Sequence, residues 1–290
     1  MTIKRELPFA EYAKGHGLNW SKLKLMAKSP AHYHWALTQE YPVETDALLV
    51  GRAVHTAVLE PAKFARQYVT WNGAQRRGKE WEAFQAASAA VEILTLKQSL
   101  QVTLIANAVR RDPEAVRLLT AGEAEVTITN SISVPALGET LAATWPTKAR
   151  LDYLGPRGIV DLKSCVDASP EGFGRAAWRL NYLGQAAWYV DAVERETGKA
   201  PDFTLVAVEK SAPYAVQVYR VNDELLEIGR DQYKGLLHRL AQCQQTNKWP
   251  GYVDGPSDLL VPRWALPEES EDANDMGINF TTNSEAHDGL

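Results

Sequence analysis

Arg150-Leu151-Asp152-Tyr153-Leu154-Gly155-Pro156-Arg157-Gly158-Ile159-Val160-Asp161-Leu162-Lys163-Ser164 is the stretch on which the fold turns. It reads as two strands joined by a Gly-Pro-Arg-Gly turn. Side chains at i and i+2 of a strand share a face, so Asp161 and Lys163 point the same way within a run made apolar by Ile159, Val160 and Leu162. Asp152 on the neighbouring strand can face them across the ladder. Two carboxylates so placed repel, and a divalent cation relieves that repulsion. Taken alone, Asp-x-Lys also fits a structural ion pair beside an unrelated Asp152.

Outward from this hairpin the texture is predictable. Residues 125–134 alternate Val126, Ile128, Ile132 and Val134, and 141–154 and 158–165 follow with short loops, which predicts an antiparallel meander. Residues 19–37 predict two short helices broken at Ser29-Pro30, a serine cap followed by a proline that suits a first helical turn. Helical spacing recurs over 51–59, ending before Pro61, over 79–94, over 96–119 with an interruption at Asp112-Pro113, over 173–193 and over 224–244. Residues 203–208 and 215–221 read as two further strands. The sum is an α/β chain of α+β character, a central mixed sheet flanked by helices, with one domain over 1–265 that includes a helical N-terminal segment and a tail over 266–290.

That tail holds seven acidic residues (Glu268, Glu269, Glu271, Asp272, Asp275, Glu285, Asp288) and no Lys or Arg. Removing seven negative charges from the net charge of −5 leaves the rest of the chain at +2. A mildly basic body is compatible with a nucleic-acid partner. The tail composition predicts disorder, with Met276, Ile278 and Phe280 as candidate apolar anchors for a partner. Cys165 and Cys243 match no zinc, disulfide or iron–sulfur spacing. No stretch approaches the roughly 18 apolar residues of a membrane helix, and no apolar region follows the charges of residues 1–9, so the expected location is the cytoplasm.

The motifs that accompany the hairpin narrow the function. Gly51-Arg52-Ala53-Val54-His55-Thr56-Ala57-Val58-Leu59-Glu60-Pro61 comes first, then Arg150-Leu151-Asp152, then Val160-Asp161-Leu162-Lys163-Ser164, then Gln185-Ala186-Ala187-Trp188-Tyr189. In this order they resemble the RecE-type exodeoxyribonuclease VIII branch of the RecB-like nucleases, within the PD-(D/E)XK superfamily. The likeness extends through Ser21-x-Leu23-Lys24, Ser29-Pro30, Asp167-Ala168-Ser169-Pro170, Val208-Glu209-Lys210 and Pro213-Tyr214-Ala215-Val216, and so spans roughly residues 10–250.

The resemblance implies a metal-dependent, 5′ to 3′ exodeoxyribonuclease of phage recombination. Acting at ends of double-stranded DNA, it would expose a 3′ single strand. It implies a ring-shaped homo-oligomer, trimer or tetramer, working with a single-strand annealing protein in a bacterial or phage-infected cell. His55, Asp152, Asp161 and the backbone carbonyl of Leu162 are the implied holders of Mg²⁺, for which Mn²⁺ can substitute. Lys163 would position or deprotonate water or stabilise developing charge, and Gln185 and Tyr189 would position substrate. A lone His55 would equally fit a core histidine.

Tyr182, Gln185 and Tyr189 stand at i, i+3 and i+7, one helical stripe. Glu60, five residues after His55, points about 140° away on a regular helix and is an outer candidate at most. Glu125 at the first strand's start is another. Arg76, Arg77 and Lys79, beside Trp71 and Trp81, are candidate DNA contacts. Two other readings stay open: an endonuclease that also cuts circles, and a non-catalytic DNA-binding protein that keeps the fold. A CRISPR-associated nuclease with a similar core is disfavoured, because that family carries a cysteine cluster and this chain has two cysteines.

Overall fold

A computed structural model describes residues 2–4, 7–39, 45–253, 255–259 and 261. The chain forms two compact units, residues 1–252 and 253–290. The described residues of the second hold no helix or strand, and the acidic tail, with Met276, Ile278 and Phe280, lies outside the described residues.

The first unit is built on a six-stranded mixed sheet. Its strands are β1 (Thr2–Lys4), β4 (Glu123–Val134), β5 (Ala143–Gly155), β6 (Gly158–Cys165), β7 (Phe203–Glu209) and β8 (Val216–Val221), in the order β1-β4-β5-β6-β7-β8. The predicted meander is β4-β5-β6, antiparallel throughout, while β6 and β7 run parallel. A parallel pair needs a long crossover. Here α9 (Pro170–Arg179) and α10 (Tyr182–Thr197) supply it.

Two apolar clusters cover the sheet's two faces. One packs Leu151, Ile159, Leu205 and Ala207 against α2 (Trp20–Leu23), α10 and α11 (Asp223–Thr246), with Trp20, Leu23, Trp188 and Leu237 deeply buried. The other packs Tyr153, Val160, Leu162 and Val206 against α4 (Asp46–Leu59), α7 (Leu96–Arg111) and α8 (Pro113–Leu118). Loss of water contact from these two faces is the main force holding the layers together. Asn130, which interrupts the apolar alternation of β4, is buried with its side chain satisfied. It donates to the Ala192 carbonyl (3.0 Å) and accepts from the Thr147 hydroxyl (2.6 Å).

Several boundaries differ from expectation. Ser29 caps α3 (Pro30–Thr38) as predicted, preceded by α2 and a short 3-10 turn over Lys24–Ala27. The helix predicted over 79–94 stops early, as α6 (Lys79–Ala87). Glu92–Thr95 is instead a strand, β3, parallel to β2 (Tyr68–Trp71). Val91, Ile93 and Thr95 are β-branched and weak helix formers, and a partner strand was at hand. Helix 173–193 divides at Leu180-Asn181, where Asn181 takes φ +60°, a conformation that asparagine tolerates. Strand β1 and the six-residue helix α1 (Phe9–Lys14) carry too few residues for a periodic signal.

Candidate active site

The β4–β5 ladder is interrupted at one position. Pairing runs from Val134 opposite Ala143 to Val126 opposite Leu151 and resumes with Ala124 opposite Tyr153, leaving out Glu125 and Asp152. Glu125 takes φ +57°, and on either side of the gap the side chains change face. Val126 and Leu151 lie in one apolar cluster, Ala124 and Tyr153 against the other. The β5–β6 pairing also begins one step beyond, with Tyr153 opposite Val160. Asp152 therefore sits where the sheet opens into a fork, and its carboxylate fills the opening. Oδ2 accepts the Leu162 backbone N–H at 2.9 Å and lies 3.4 Å from His55 Nδ1.

Helix α4 supplies His55 from one face of the sheet. Ala53, Val54 and Ala57 bury its inner stripe, Thr45 caps its start, and the helix ends at Glu60 before Pro61. Helix α10 supplies Gln185 from the other face. Lys163 and Asp161, on one face of β6 as the i, i+2 spacing requires, meet in an ion pair. Gln185 ties them together: its carbonyl oxygen accepts from Lys163 Nζ (3.0 Å) and its amide donates to Asp161 Oδ1 (3.1 Å). Asp161 Oδ2, fully buried, is the oxygen that meets the Lys163 ammonium. The Tyr182 ring lies 4.7 Å from Lys163 Nζ. Tyr189 is buried on α10 one helical turn after Gln185, on the same side of the helix.

Charge state follows from these contacts. Burial pushes the Asp161 carboxyl up to about 6. The Lys163 ammonium opposes the shift, while the Asp152 charge adds to it. Burial would also raise Asp152, but His55 outweighs it, with help from Lys163 and the Leu162 N–H, and its carboxyl lies below the usual range. His55 and Lys163 each lose from burial and gain more from the two aspartates, so both lie above their ordinary values. Glu125 is raised by burial and by Asp152, and pairs with Arg150, which also donates to the Leu7 carbonyl (2.8 Å).

The sequence candidates thus divide. His55, Asp152, Asp161, Lys163, Gln185 and Tyr189 are brought together, with Glu125 within electrostatic reach of Asp152 and His55. Glu60 is not: it ends α4 and its carboxylate pairs with Lys63 at 2.9 Å. Arg76 does not join the cluster either. It donates to the Ile93 carbonyl (2.9 Å) and Gln98 (3.2 Å) and fastens β3 to the start of α7. Arg77 and Lys79 are exposed, without a contact to the cluster among the described residues. Sequence reading left Tyr182 and Arg150 without roles. Tyr182's place three residues before Gln185 was the available signal.

Among the described residues no three His, Cys, Asp or Glu side chains converge in a ready-made metal cage. The donor set nevertheless fits a hard divalent ion: the carboxylates of Asp152 and Asp161 and the His55 imidazole are brought together at the fork, with the Leu162 main chain against Asp152. His55, Asp152 and Asp161 would hold it.

The model of the PDDEXK-like domain of unknown function (DUF3799) matches residues 19–257, which include the whole fork. The chain belongs to this family. It is thereby a PD-(D/E)XK-superfamily protein, from a superfamily whose nucleases use divalent metals. A solved structure named "Putative exonuclease", from Eubacterium rectale, is similar over 89% of this chain and 97% of that one, with a TM-score of 0.59 at 16% identity. At that identity the likeness shows the shared fold. A second, SSO0001, covers 80% of this chain and 88% of its own at 15% identity, and its TM-score of 0.28 carries no argument. No curated protein matches. Among the described residues no helix is long and apolar enough to cross a membrane.

Proposed function

We propose that this PDDEXK-like chain is a metal-dependent exodeoxyribonuclease that degrades one strand of linear duplex DNA from its 5′ end, in the manner of the RecE-type enzymes it resembles. The observation that carries a hydrolytic role is the Asp152 fork with Lys163, Asp161 and Gln185 linked beside it. A largely buried lysine paired with Asp161 and bonded to Gln185 is expensive to maintain for packing alone. Bound Mg²⁺, or Mn²⁺ in its place, would supply Lewis-acid activation of phosphate and water.

The chain's own residues divide the remaining work. Lys163 is held beside the fork by its ion pair with Asp161. Its part is electrostatic: it attracts the scissile phosphate and stabilises the charge gathered as water adds to phosphorus and the bond to the 3′ oxygen breaks. Gln185 fixes the ammonium through its carbonyl oxygen, and Tyr189 lies one helical turn further along α10. Asp152 and His55 orient each other across the fork. Polarity, a role in recombination, a trimeric or tetrameric ring and an annealing-protein partner belong to the same proposal and rest on the motif resemblance.

The test is purified protein on linear duplex labelled at the 5′ or the 3′ end of one strand, with Mg²⁺ or EDTA, beside covalently closed circles and Lys163→Ala. Metal-dependent loss from the 5′ end, intact circles and an inactive variant are expected. Cut circles would establish an endonuclease instead. No cleavage with Mg²⁺ or Mn²⁺ would leave a DNA-binding protein that keeps the fold.

A further inference from the structure

Arg150 and Asp152 leave β5 on the same side. Between them Leu151 packs into the apolar cluster on the α10 face, so its two neighbours both point to the other face, the one from which His55 of α4 reaches Asp152. Residues two apart on a strand are separated by about 7 Å along the backbone, a gap that an arginine side chain spans. A guanidinium rooted there has the Asp152 carboxylate within reach. Yet among the described residues Arg150 makes no bond to Asp152.

The guanidinium is instead turned away and held. Its Nε donates to Glu125 Oε2, and its Nη1 to the Leu7 carbonyl (2.8 Å) and, at 3.4 Å, to the Thr127 hydroxyl. The rings of Phe9 and Tyr12 lie 6.0 and 5.6 Å from its centre. Thr127 is the ladder partner of Arg150, which makes Glu125 the diagonal neighbour of Arg150 and places it on the unpaired rung opposite Asp152. Glu125 keeps a left-handed backbone (φ +57°), a conformation that a residue with a long side chain adopts where its surroundings enforce it. The pair is largely buried, the arginine side chain 9% and the glutamate 23% exposed.

We propose that Glu125 is a positioning residue that holds Arg150 off Asp152 and so keeps the Asp152 carboxylate open to a divalent cation. A guanidinium bonded to Asp152 would compete with the metal for the same oxygens, and its charge would repel the metal. Glu125 gives Arg150 a carboxylate of its own, and the Leu7 carbonyl and the two rings fix it there. Glu125 thus acts through Arg150 rather than by touching the metal, so loss of its charge is harmful while Arg150 keeps its own and harmless once Arg150 is neutral. The inference rests on the nuclease reading for what the metal does, while its test reads metal binding and does not require cleavage.

Mn²⁺ binding to the full-length protein without DNA, read from the electron paramagnetic resonance of the free ion, would compare the wild type with Glu125→Gln, Glu125→Asp, Arg150→Met and the double variant Glu125→Gln/Arg150→Met, each with a thermal melt in EDTA. Methionine keeps an apolar stem between the rings and carries no charge. Glu125→Gln should weaken Mn²⁺ binding by about tenfold or more. Adding Arg150→Met should return the affinity to within about threefold of the wild type. Glu125→Asp should do the same by itself, because it keeps the acid and tolerates the left-handed backbone. Arg150→Met alone should bind Mn²⁺ at least as tightly as the wild type. A double variant as weak as Glu125→Gln would overturn the proposal and make Glu125 a metal ligand in its own right. A lowered melting temperature with unchanged Mn²⁺ affinity in Glu125→Gln would overturn it too and leave the pair a structural one. If Arg150→Met does not fold, the two Glu125 variants decide, since equal losses in both count against the proposal. The expected order of affinities in a wild type that cleaves no DNA in any metal would support the role of Glu125 and remove the nuclease reading. A wild type that binds no Mn²⁺ would overturn both.

Discussion

Asp161 and Lys163 share one strand face but not one task. Asp161 is buried completely, and its carboxyl is raised to about 6 against an ordinary value of 3.8. A raised acid costs the folded, metal-free protein stability wherever it must ionise. The penalty is absent below about pH 4, grows as pH rises through about 6 and is then constant. Asn cannot ionise but also leaves Lys163 without its carboxylate partner, so the test is the pH dependence: in EDTA the wild type should lose stability relative to Asp161→Asn as pH rises from about 4 to about 6, with no further change above. Added Mn²⁺ should raise the melting temperature of the wild type at pH 7 and not of the variant, and that gain should shrink below about pH 6 as protons compete for the carboxylate. Thermal melts from pH 4 to 8, with EDTA and with Mn²⁺, read both effects. For Lys163→Ala, cleavage should fall by about 10²-fold or more, the size seen when one preorganised electrostatic donor is removed. Single-turnover hydrolysis of end-labelled duplex measures it. Retained activity would show that Lys163 serves packing.

Helices α4 and α10 approach the fork from opposite faces, and a glycine within α4 and one of α11 packed on α10 make opposite predictions. Gly51 lies inside α4 at helical geometry with nothing within 4 Å of an added Cβ. Gly51→Ala should therefore stabilise the protein by about 0.5–1 kcal/mol, through lower helix entropy cost. A variant that is more stable yet binds DNA poorly would show that the open space at this position serves the substrate. Gly229 of α11 is the reverse case. A Cβ there would lie 2.2 Å from the Leu183 carbonyl oxygen and 2.9 Å from Ala187 Cβ, so two helices would have to separate. Gly229→Ala should cost about 1–3 kcal/mol. Because Leu183 lies two residues before Gln185, cleavage should fall along with the melting temperature; chemical denaturation paired with activity distinguishes the two readouts.

Across the molecule, charge is distributed unevenly, with acid concentrated in 266–290 and an acid-free run over 12–39. If the acidic segment only solubilises the chain, deleting residues 267–290 should leave the cleavage rate and DNA affinity within about twofold, since screened charges beyond a Debye length interact weakly. A large gain in DNA affinity on deletion would instead identify the segment as an internal competitor for the basic surface.

Local patterns were enough for much of this. Strand alternation in β4, the Gly-Pro-Arg-Gly turn, the Ser29 helix start, the interruption at Asp112-Pro113 and the i, i+2 placement of Asp161 and Lys163 all follow from spacings within a few residues, where backbone geometry leaves few choices. The order of the motifs marked His55, Asp152 and Gln185 as well. What neighbouring residues in the chain could not supply was the fork: the ladder gap at Glu125 and Asp152, the change of side-chain face across it, and the Leu162 N–H that turns to Asp152. Nor could they supply the β2–β3 pair or the break at Asn181. Each of these joins segments distant in sequence, and its energy comes from burial and pairing that exist only once the layers have packed.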